Sequence, residues 1–135
     1  MVNENQWLPR ANTILVVEDD LDAREGLCEW LKQRGHHVAS AANGLSALHE
    51  IRTLRDPPAL ILLDLFMPVM DGYAFLRRAR QDSSIKHVPI VVMTGDPWAP
   101  PSGADAILTK PFKSEILLYT IRRFLKPAEN SGLGR

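Results

Sequence analysis

The segment ILLDLFMPVMDGY, residues 61–73, decides the fold of this chain. It begins as an apolar run typical of a buried strand, and the run ends at the carboxylate of Asp64. The chain then turns through Met67-Pro68 towards Asp71. A charged side chain at the end of an apolar strand is costly unless other groups compensate it. The segment therefore predicts a buried strand that delivers Asp64 to a polar site.

Short apolar runs alternate with amphipathic helical patterns along the rest of the chain. The predicted strands cover residues 13–17, 37–40, 59–64, 88–93 and 106–108. Apolar residues at helical spacing predict helices over residues 21–34, 45–55 and 71–81, and a last helix capped by Ser114. Gly35 is expected to end the first helix, and Asn43-Gly44 to form a turn. Nearly continuous apolar strands between helices predict an α/β fold, a parallel sheet covered on both faces.

Size and composition fit one soluble domain. The chain has 135 residues, of which 45% are hydrophobic and 24% charged, with a formal net charge of zero. This balance argues against nucleic acid or an anionic membrane as a partner. Cys28 is the single cysteine, and no apolar run is long enough to span a bilayer. The first residues lack the pattern of a signal peptide, so we expect a cytoplasmic protein.

Three regions are expected: an arm over residues 1–11, a domain over 12–126 and a polar tail over 127–135. The start and the tail favour a complete protein. No DNA-binding output domain is expected after the last helix.

Polar side chains follow four of the predicted strands, where such sheets bind ligands. They are Glu18-Asp19-Asp20, Asp64, Thr94 and Lys110. Each of these residues also has an ordinary structural explanation. Asp20 and Asp22 can cap a helix and occupy its first turn, and Asp64 can begin a loop. Thr94 can be a β-branched strand residue, and Lys110 can be a surface residue. Their joint placement instead predicts one site with carboxylates, a hydroxyl and an ammonium group.

Four motifs resemble the receiver domain of two-component response regulators, over about residues 12–126. They are ILVVEDD, LLDLFMPVMDG, VVMTG and the KPF of residues 110–112. The resemblance implies a flavodoxin-like, doubly wound sheet of five strands in the order 2-1-3-4-5. It also implies the roles of particular residues. Asp64 would be the phosphoacceptor. Glu18, Asp19, Asp64 and the main-chain carbonyl of Phe66 would hold Mg²⁺. Thr94 and Lys110 would bind the phosphoryl group, and the Lys110–Pro111 bond would be cis.

The chemistry agrees with these roles. A carboxylate can accept a phosphoryl group as an acyl phosphate, and a metal ion and a lysine can balance the charge of the transfer. A sensor histidine kinase or a histidine phosphotransfer protein would be the donor, and an unknown protein would receive the output. The chain would not itself be an enzyme. A haloacid dehalogenase-type phosphatase is disfavoured, because Glu18 replaces the first Asp of its Asp-x-Asp pattern. A phosphotransfer shuttle or sink, and a phosphate-independent interaction module, remain alternatives.

The stretch GDPWAPPSGADAILT, residues 95–109, departs from the family pattern. It is short and holds Pro97, Pro100 and Pro101, which oppose a helix. We expect the family's fourth helix to be absent or reduced to one turn. Ile107 occupies the position of the family's switch aromatic, either as a switch residue or as a core strand residue. Trp98 is a candidate for a partner contact, a lid or packing.

Phe66 stands two residues after Asp64, where many relatives carry a polar residue. A bulky apolar side chain there could hinder attacking water. We therefore expect a phosphoryl group that lasts hours.

Overall fold

A computed structural model of the protein describes residues 13–96 and 101–125. In chain order the elements are β1 (Thr13–Val17), α1 (Leu21–Gln33), β2 (His37–Ala41), α2 (Gly44–Thr53), β3 (Leu60–Asp64), α3 (Gly72–Gln81), β4 (Ile90–Thr94), β5 (Ala106–Thr109) and α4 (Ser114–Phe124). All strand pairs are parallel, and the order is β2-β1-β3-β4-β5. The predicted flavodoxin-like α/β fold is confirmed.

The strands contribute alternate side chains to two separate hydrophobic cores, because successive residues of a strand point to opposite faces of the sheet. Val16, Leu62 and Met93 belong to a cluster that Leu31 of α1 and Ile121 of α4 complete. Their strand neighbours, such as Leu63 and Val92, belong to a second cluster beneath α2 and α3. The sheet is therefore covered on both faces, as its apolar strands predict.

Local sequence sets the ends of the helices. Asp20 caps α1 by accepting a hydrogen bond from the Ala23 amide at 2.8 Å, its ordinary structural role. Gly35, with φ of +89°, ends α1, and the next amide donates to the Leu31 carbonyl.

Two local predictions were wrong. Asn43 caps α2 by accepting from the Ser46 amide at 2.8 Å instead of forming a free turn. Ser114 is the first helical residue of α4, and the preceding Lys113 is a cap without a side-chain hydrogen bond. The cap of α4 lies one residue before the predicted one, because only the backbone angles fix where a helix begins.

No helix lies between β4 and β5 in the described residues 95, 96 and 101–105. This agrees with the predicted loss of the family's fourth helix. The expectations for Trp98, for the arm over residues 1–11 and for the tail over residues 127–135 lie outside the described part of the chain. Within the described part, no helix is long and apolar enough to cross a membrane.

Candidate functional site

The end of β1 supplies an acidic pair with two different environments. Glu18 is 4% exposed, whereas the next residue, Asp19, is exposed. The Glu18 amide donates to the Ala41 carbonyl of β2 at 3.0 Å, and its carboxylate accepts from the Asp20 amide at 3.1 Å. Arg24 of α1 donates to the Glu18 carbonyl at 2.8 Å. These bonds fix the pair at the carboxyl edge of the sheet.

Asp64 ends β3 and is 7% exposed. The chain that follows it folds back closely. The Gly72 amide donates to the Leu65 carbonyl at 2.8 Å, and Asp71 caps α3 by accepting from the Ala74 amide at 2.9 Å. A Cβ on Gly72 would collide with the backbone of Asp64 and lie 2.7 Å from the Leu65 Cα. Gly72 is therefore required for α3 to begin against the end of β3.

Thr94 and Lys110 come from the ends of β4 and β5. Thr94 is 1% exposed and stands one position beyond Met93, the register partner of Asp64. Its hydroxyl accepts from the Asp96 amide at 3.0 Å. The Lys110 amide donates to the Thr94 carbonyl at 2.7 Å, and the Lys110–Pro111 bond is cis, as predicted. The two residues are thereby held side by side.

The Lys110 ammonium lies between two carboxylates. Its Nζ is 2.8 Å from Glu18 Oε1 and 3.5 Å from Asp64 Oδ1. The ammonium compensates part of the charge of the buried carboxylates that the apolar strands bring together, which lowers the cost of placing Asp64 there. Glu18 is its nearer partner.

Burial and, after it, the neighbouring Glu18 charge raise the pKa of Asp64 from 3.8 to about 6, although Lys110 and the Leu65 amide act in the opposite direction. Burial lowers the pKa of Lys110, but its bonds to Glu18 and Asp64 outweigh burial and leave it above 10.5. Lys110 therefore stays charged at neutral pH. Asp64 is ionised above about pH 6, at a considerable electrostatic cost.

Glu18, Asp19 and Asp64 form a cluster that fits a divalent cation. One carboxylate oxygen from each lies within 4.8 Å of the others. Oxygens on one Mg²⁺ lie at most about 4.2 Å apart, given bonds of about 2.1 Å, so a small closure would suffice. Three carboxylates beside one ammonium also leave excess negative charge. The residues present can hold a metal ion through hard oxygen ligands.

The structure thus brings together five of the predicted site residues: Glu18, Asp19, Asp64, Thr94 and Lys110. Phe66 lies nearby with a side chain that is 57% exposed and packs edge-on against Tyr73, with ring centroids 6.2 Å apart. Ile107 is not in this cluster. It lies in the middle of β5, opposite Val92, and is 37% exposed. Its role as a switch residue stays a prediction.

The sequence analysis did not identify two arginines whose side chains bond to segments around the site. Arg24 bonds to the carbonyl of Glu18, as above. Arg80 of α3 donates to the carbonyls of Gly103, Lys86 and Val88 at 2.8–3.0 Å and to the Asp105 carboxylate at 2.8 Å. Both are helical arginines of ordinary appearance, so no local signal marks their long-range bonds.

Comparisons with known proteins agree with this geometry. The family model of the response regulator receiver domain matches residues 14–122. The DNA-binding response regulator MtrA of Mycobacterium tuberculosis is 39% identical over 119 residues, covering 84% of this chain and 50% of MtrA. The chemotaxis response regulator CheY4 of Vibrio cholerae is similar at a TM-score of 0.74 and 33% identity, covering 84% of this chain and 98% of that chain. The response regulator TrrA of Thermotoga maritima, solved in complex with Mg²⁺-BeF, gives a TM-score of 0.75 and 27% identity, with coverage of 84% and 99%.

A parallel sheet with an acidic cluster, a hydroxyl and an ammonium at its carboxyl edge defines a doubly wound α/β domain with a polar ligand site at the strand ends. This chain belongs to the response regulator receiver domain family of two-component signalling. It spans about half the length of the first curated relatives it matches.

Proposed function

We propose that the protein takes a phosphoryl group onto Asp64 from a phosphohistidine, in a reaction that requires Mg²⁺. The donor would be a sensor histidine kinase or a histidine phosphotransfer protein, and the phosphorylated domain would signal in the cytoplasm through a partner protein. The chain would act as the phosphoacceptor and not as an enzyme with a substrate of its own. The observation that carries the proposal is the joint contact of Lys110 with Glu18 and Asp64, beside an acidic cluster.

In the transfer, a carboxylate oxygen of ionised Asp64 attacks phosphorus. A P–O bond forms while the P–N bond to the donor imidazole breaks, and the imidazole nitrogen keeps the electron pair and takes a proton from solvent. A bound Mg²⁺ would neutralise part of the phosphoryl charge. Glu18, Asp19 and Asp64 would hold it. Burial disfavours the Asp64 anion, while Lys110 and the Leu65 amide favour it, so the carboxylate is ionised above about pH 6 and can then attack.

Lys110 changes partner in this scheme. In the structure its ammonium is 0.7 Å nearer to Glu18 than to Asp64, from distances of 2.8 and 3.5 Å. A phosphoryl group on Asp64 adds about 1.5–2 negative charges at that point. The ammonium would move towards it, and the Thr94 hydroxyl, which holds the Asp96 amide, would be drawn to a phosphoryl oxygen. Both movements bias the loop that follows β4.

The test is the intact mass of the protein after incubation with acetyl phosphate, with and without Mg²⁺. We expect a gain of one phosphoryl group that needs Mg²⁺ and is absent in Asp64→Asn. The matched control is Asp82→Asn, which removes an exposed carboxylate that bonds to the Ser84 amide and hydroxyl, and this variant should still gain the group. A gain that persists in Asp64→Asn would contradict the proposed acceptor. No gain with acetyl phosphate or with a phosphorylated histidine phosphotransfer protein would favour a phosphate-independent module.

The metal site has its own test, a calorimetric titration with Mg²⁺. Asp19→Asn removes a carboxylate of the cluster and should weaken Mg²⁺ binding at least about tenfold. Asp20→Asn is the control, because Asp20 caps α1 and asparagine caps equally well. Equal affinities in the two variants would contradict the assignment of Asp19.

A further inference from the structure

A second cleft lies at the edge of the sheet opposite to the acidic cluster. It opens between the last turns of α2 and α3 and the loops that lead from these helices to β3 and β4. Its volume is about 570 Å³, which is within the range of clefts that bind small molecules. The proposed phosphorylation uses no residue of this cleft. Its walls are of three kinds: an apolar floor, a rim of guanidinium groups and a set of hydrogen-bond acceptors.

The floor of the cleft is apolar and belongs to the hydrophobic core. Ile85, in the loop before β4, is 1% exposed and is a member of the core cluster beneath α2 and α3. Leu48 and Ile51 of α2 are partly buried and pack against the same cluster. Because the core holds these side chains in place, the floor is formed before any ligand binds. It can bury a flat apolar group against aliphatic side chains.

Three guanidinium groups form the rim, those of Arg52, Arg55 and Arg78. All three residues are exposed, and in the described part of the chain none of them donates a hydrogen bond or forms an ion pair. Arg80, two residues after Arg78, differs from them because its guanidinium donates to backbone carbonyls and to a carboxylate. The donors of the rim are therefore available to a ligand. We call the cleft with this rim the arginine cleft.

The ordinary role of arginines at helix ends does not account for this arrangement. Arg52 and Arg78 lie in the last turns of their helices, where a cation interacts favourably with the helix dipole. Arg55 follows the end of α2 and lies outside both helices. The two dipoles favour cations at each helix end separately and do not require three of them to line one cleft. Their joint placement concentrates positive charge where an anion can be received.

The third wall of the cleft consists of hydrogen-bond acceptors beside the arginines. The carboxylates of Asp56 and Asp82 line the cleft, so its three arginines leave an excess of one positive charge. Asp82 Oδ1 accepts from the Ser84 amide at 2.9 Å and from the Ser84 hydroxyl at 2.7 Å. Asp82 Oδ2 and the side-chain carbonyl of Gln81 can accept from N–H groups of a ligand. The arginine cleft therefore fits an anion that also carries N–H donors.

A purine nucleotide combines the properties that the three walls require. Guanidinium groups bind phosphate oxygens through paired N–H donors. The base is flat and fits an apolar floor, and the N–H groups at its edge can donate to the acceptors. Inorganic phosphate would use the rim alone, and a nucleoside would use the floor and the acceptors alone. A long nucleic acid is disfavoured, because the formal net charge of the chain is zero.

We propose that the arginine cleft binds a purine nucleotide, with the phosphate on the rim and the base on the floor. Binding requires neither Asp64 nor Mg²⁺, because the cleft lies at the other edge of the sheet. It is thus independent of the proposed phosphorylation, and the two can be tested separately. Since the three arginines are exposed and solvent screens their charge, a dissociation constant on the order of 100 µM is expected.

Calorimetric titration of the full chain with AMP and with GMP tests the proposal. EDTA is present so that Mg²⁺ cannot hold the phosphate at the acidic cluster. At least one nucleotide should bind with the expected constant, and inorganic phosphate and adenosine should each bind at least tenfold more weakly. Arg55→Gln and Arg78→Gln should each weaken nucleotide binding at least tenfold, because each removes a guanidinium group from the rim. Arg77→Gln, an exposed change on α3 outside the cleft, is the control and should bind as the wild type does.

NMR chemical-shift mapping then locates the bound nucleotide. The amide signals of Ile51, Arg55 and Ile85 should move during the titration, and those of Asp64 and Lys110 should stay in place. Shifts confined to the acidic cluster would overturn the inference, as would the absence of binding by either nucleotide at about 2 mM. Binding that both glutamine variants retain would overturn it too. So would inorganic phosphate that binds as tightly as the nucleotide, because the floor would then contribute nothing.

Discussion

Replacing Asp64 by asparagine should stabilise the protein in the absence of metal, and the gain should depend on pH. The pKa of Asp64 is raised from 3.8 to about 6, first by burial and then by Glu18. The folded protein therefore binds a proton that the unfolded chain has released between these values, so stability falls as pH rises through this window. One unit of pKa corresponds to about 1.4 kcal/mol, so a difference of about 2.2 gives about 3 kcal/mol above pH 7.

Asparagine has nearly the shape of a protonated aspartate and carries no charge. Asp64→Asn should therefore be more stable than the wild type by up to about 3 kcal/mol at pH 7.5 and by about half of that at pH 5. The measurement is urea unfolding of both proteins in EDTA at the two pH values. Asp20→Asn, which keeps its helix cap, should change the free energy of unfolding by less than about 0.5 kcal/mol.

Addition of Mg²⁺ should stabilise the wild type and reduce the advantage of Asp64→Asn, because the ion compensates the carboxylates only where all three are present. A variant that is no more stable than the wild type at pH 7.5 would refute the reasoning. An equal gain at both pH values would show that the gain has another origin than the raised pKa.

Three further predictions concern residues around the site. Arg80→Met should lower the free energy of unfolding by about 2–4 kcal/mol, because the guanidinium N–H groups of Arg80 donate to groups within the fold. Arg77→Met, on the exposed face of α3, is the control and should change it by less than about 0.5 kcal/mol. Thermal and urea unfolding measure both. Gly72→Ala should destabilise by about 2 kcal/mol or more through collision with the β3 backbone, while Gly26→Ala, in open space within α1, should stabilise by about 0.5–1 kcal/mol. Phe66→Asn should speed the loss of the phosphoryl group several-fold, measured by intact mass over time, and an unchanged decay rate would remove the basis for a long-lived phosphoryl group.

The residue types at the strand ends were predictable because the parallel fold itself brings strand ends together. Once five apolar strands alternate with helices, Glu18, Asp64 and Lys110 must meet at one edge, whatever the details of the loops. That the described residues 95, 96 and 101–105 form no helix before β5 was predictable for a similarly local reason. Proline cannot donate an amide hydrogen bond and restricts the residue before it, so three prolines in a short stretch oppose a helix without any tertiary information.

The partners of individual polar groups could not be predicted. The sequence placed Lys110 in one site with the carboxylates, but it did not indicate that Glu18 is the nearer one, because the side-chain positions on three packed strands decide the distances. Gly44 looked like part of a turn. It instead begins a helix against Met70, where a Cβ would meet the Met70 side chain at 2.7 Å. Such contacts join residues that are far apart in the sequence, and the sequence pattern does not indicate how close these residues lie in the folded protein.

The same limit applies to the contacts that hold β5 in place. Arg80 binds the carbonyl of Gly103 and the carboxylate of Asp105, and that carboxylate also accepts the Ile90 amide at 2.8 Å. The amino end of β5 is thus fixed to α3 and β4 by side-chain bonds. The carboxyl end is fixed by the bond from the Lys110 amide to Thr94. Since both ends of β5 are anchored, a signal from the phosphoryl group should begin with the side chains of Thr94 and Lys110. It need not shift β5, the strand that carries Ile107.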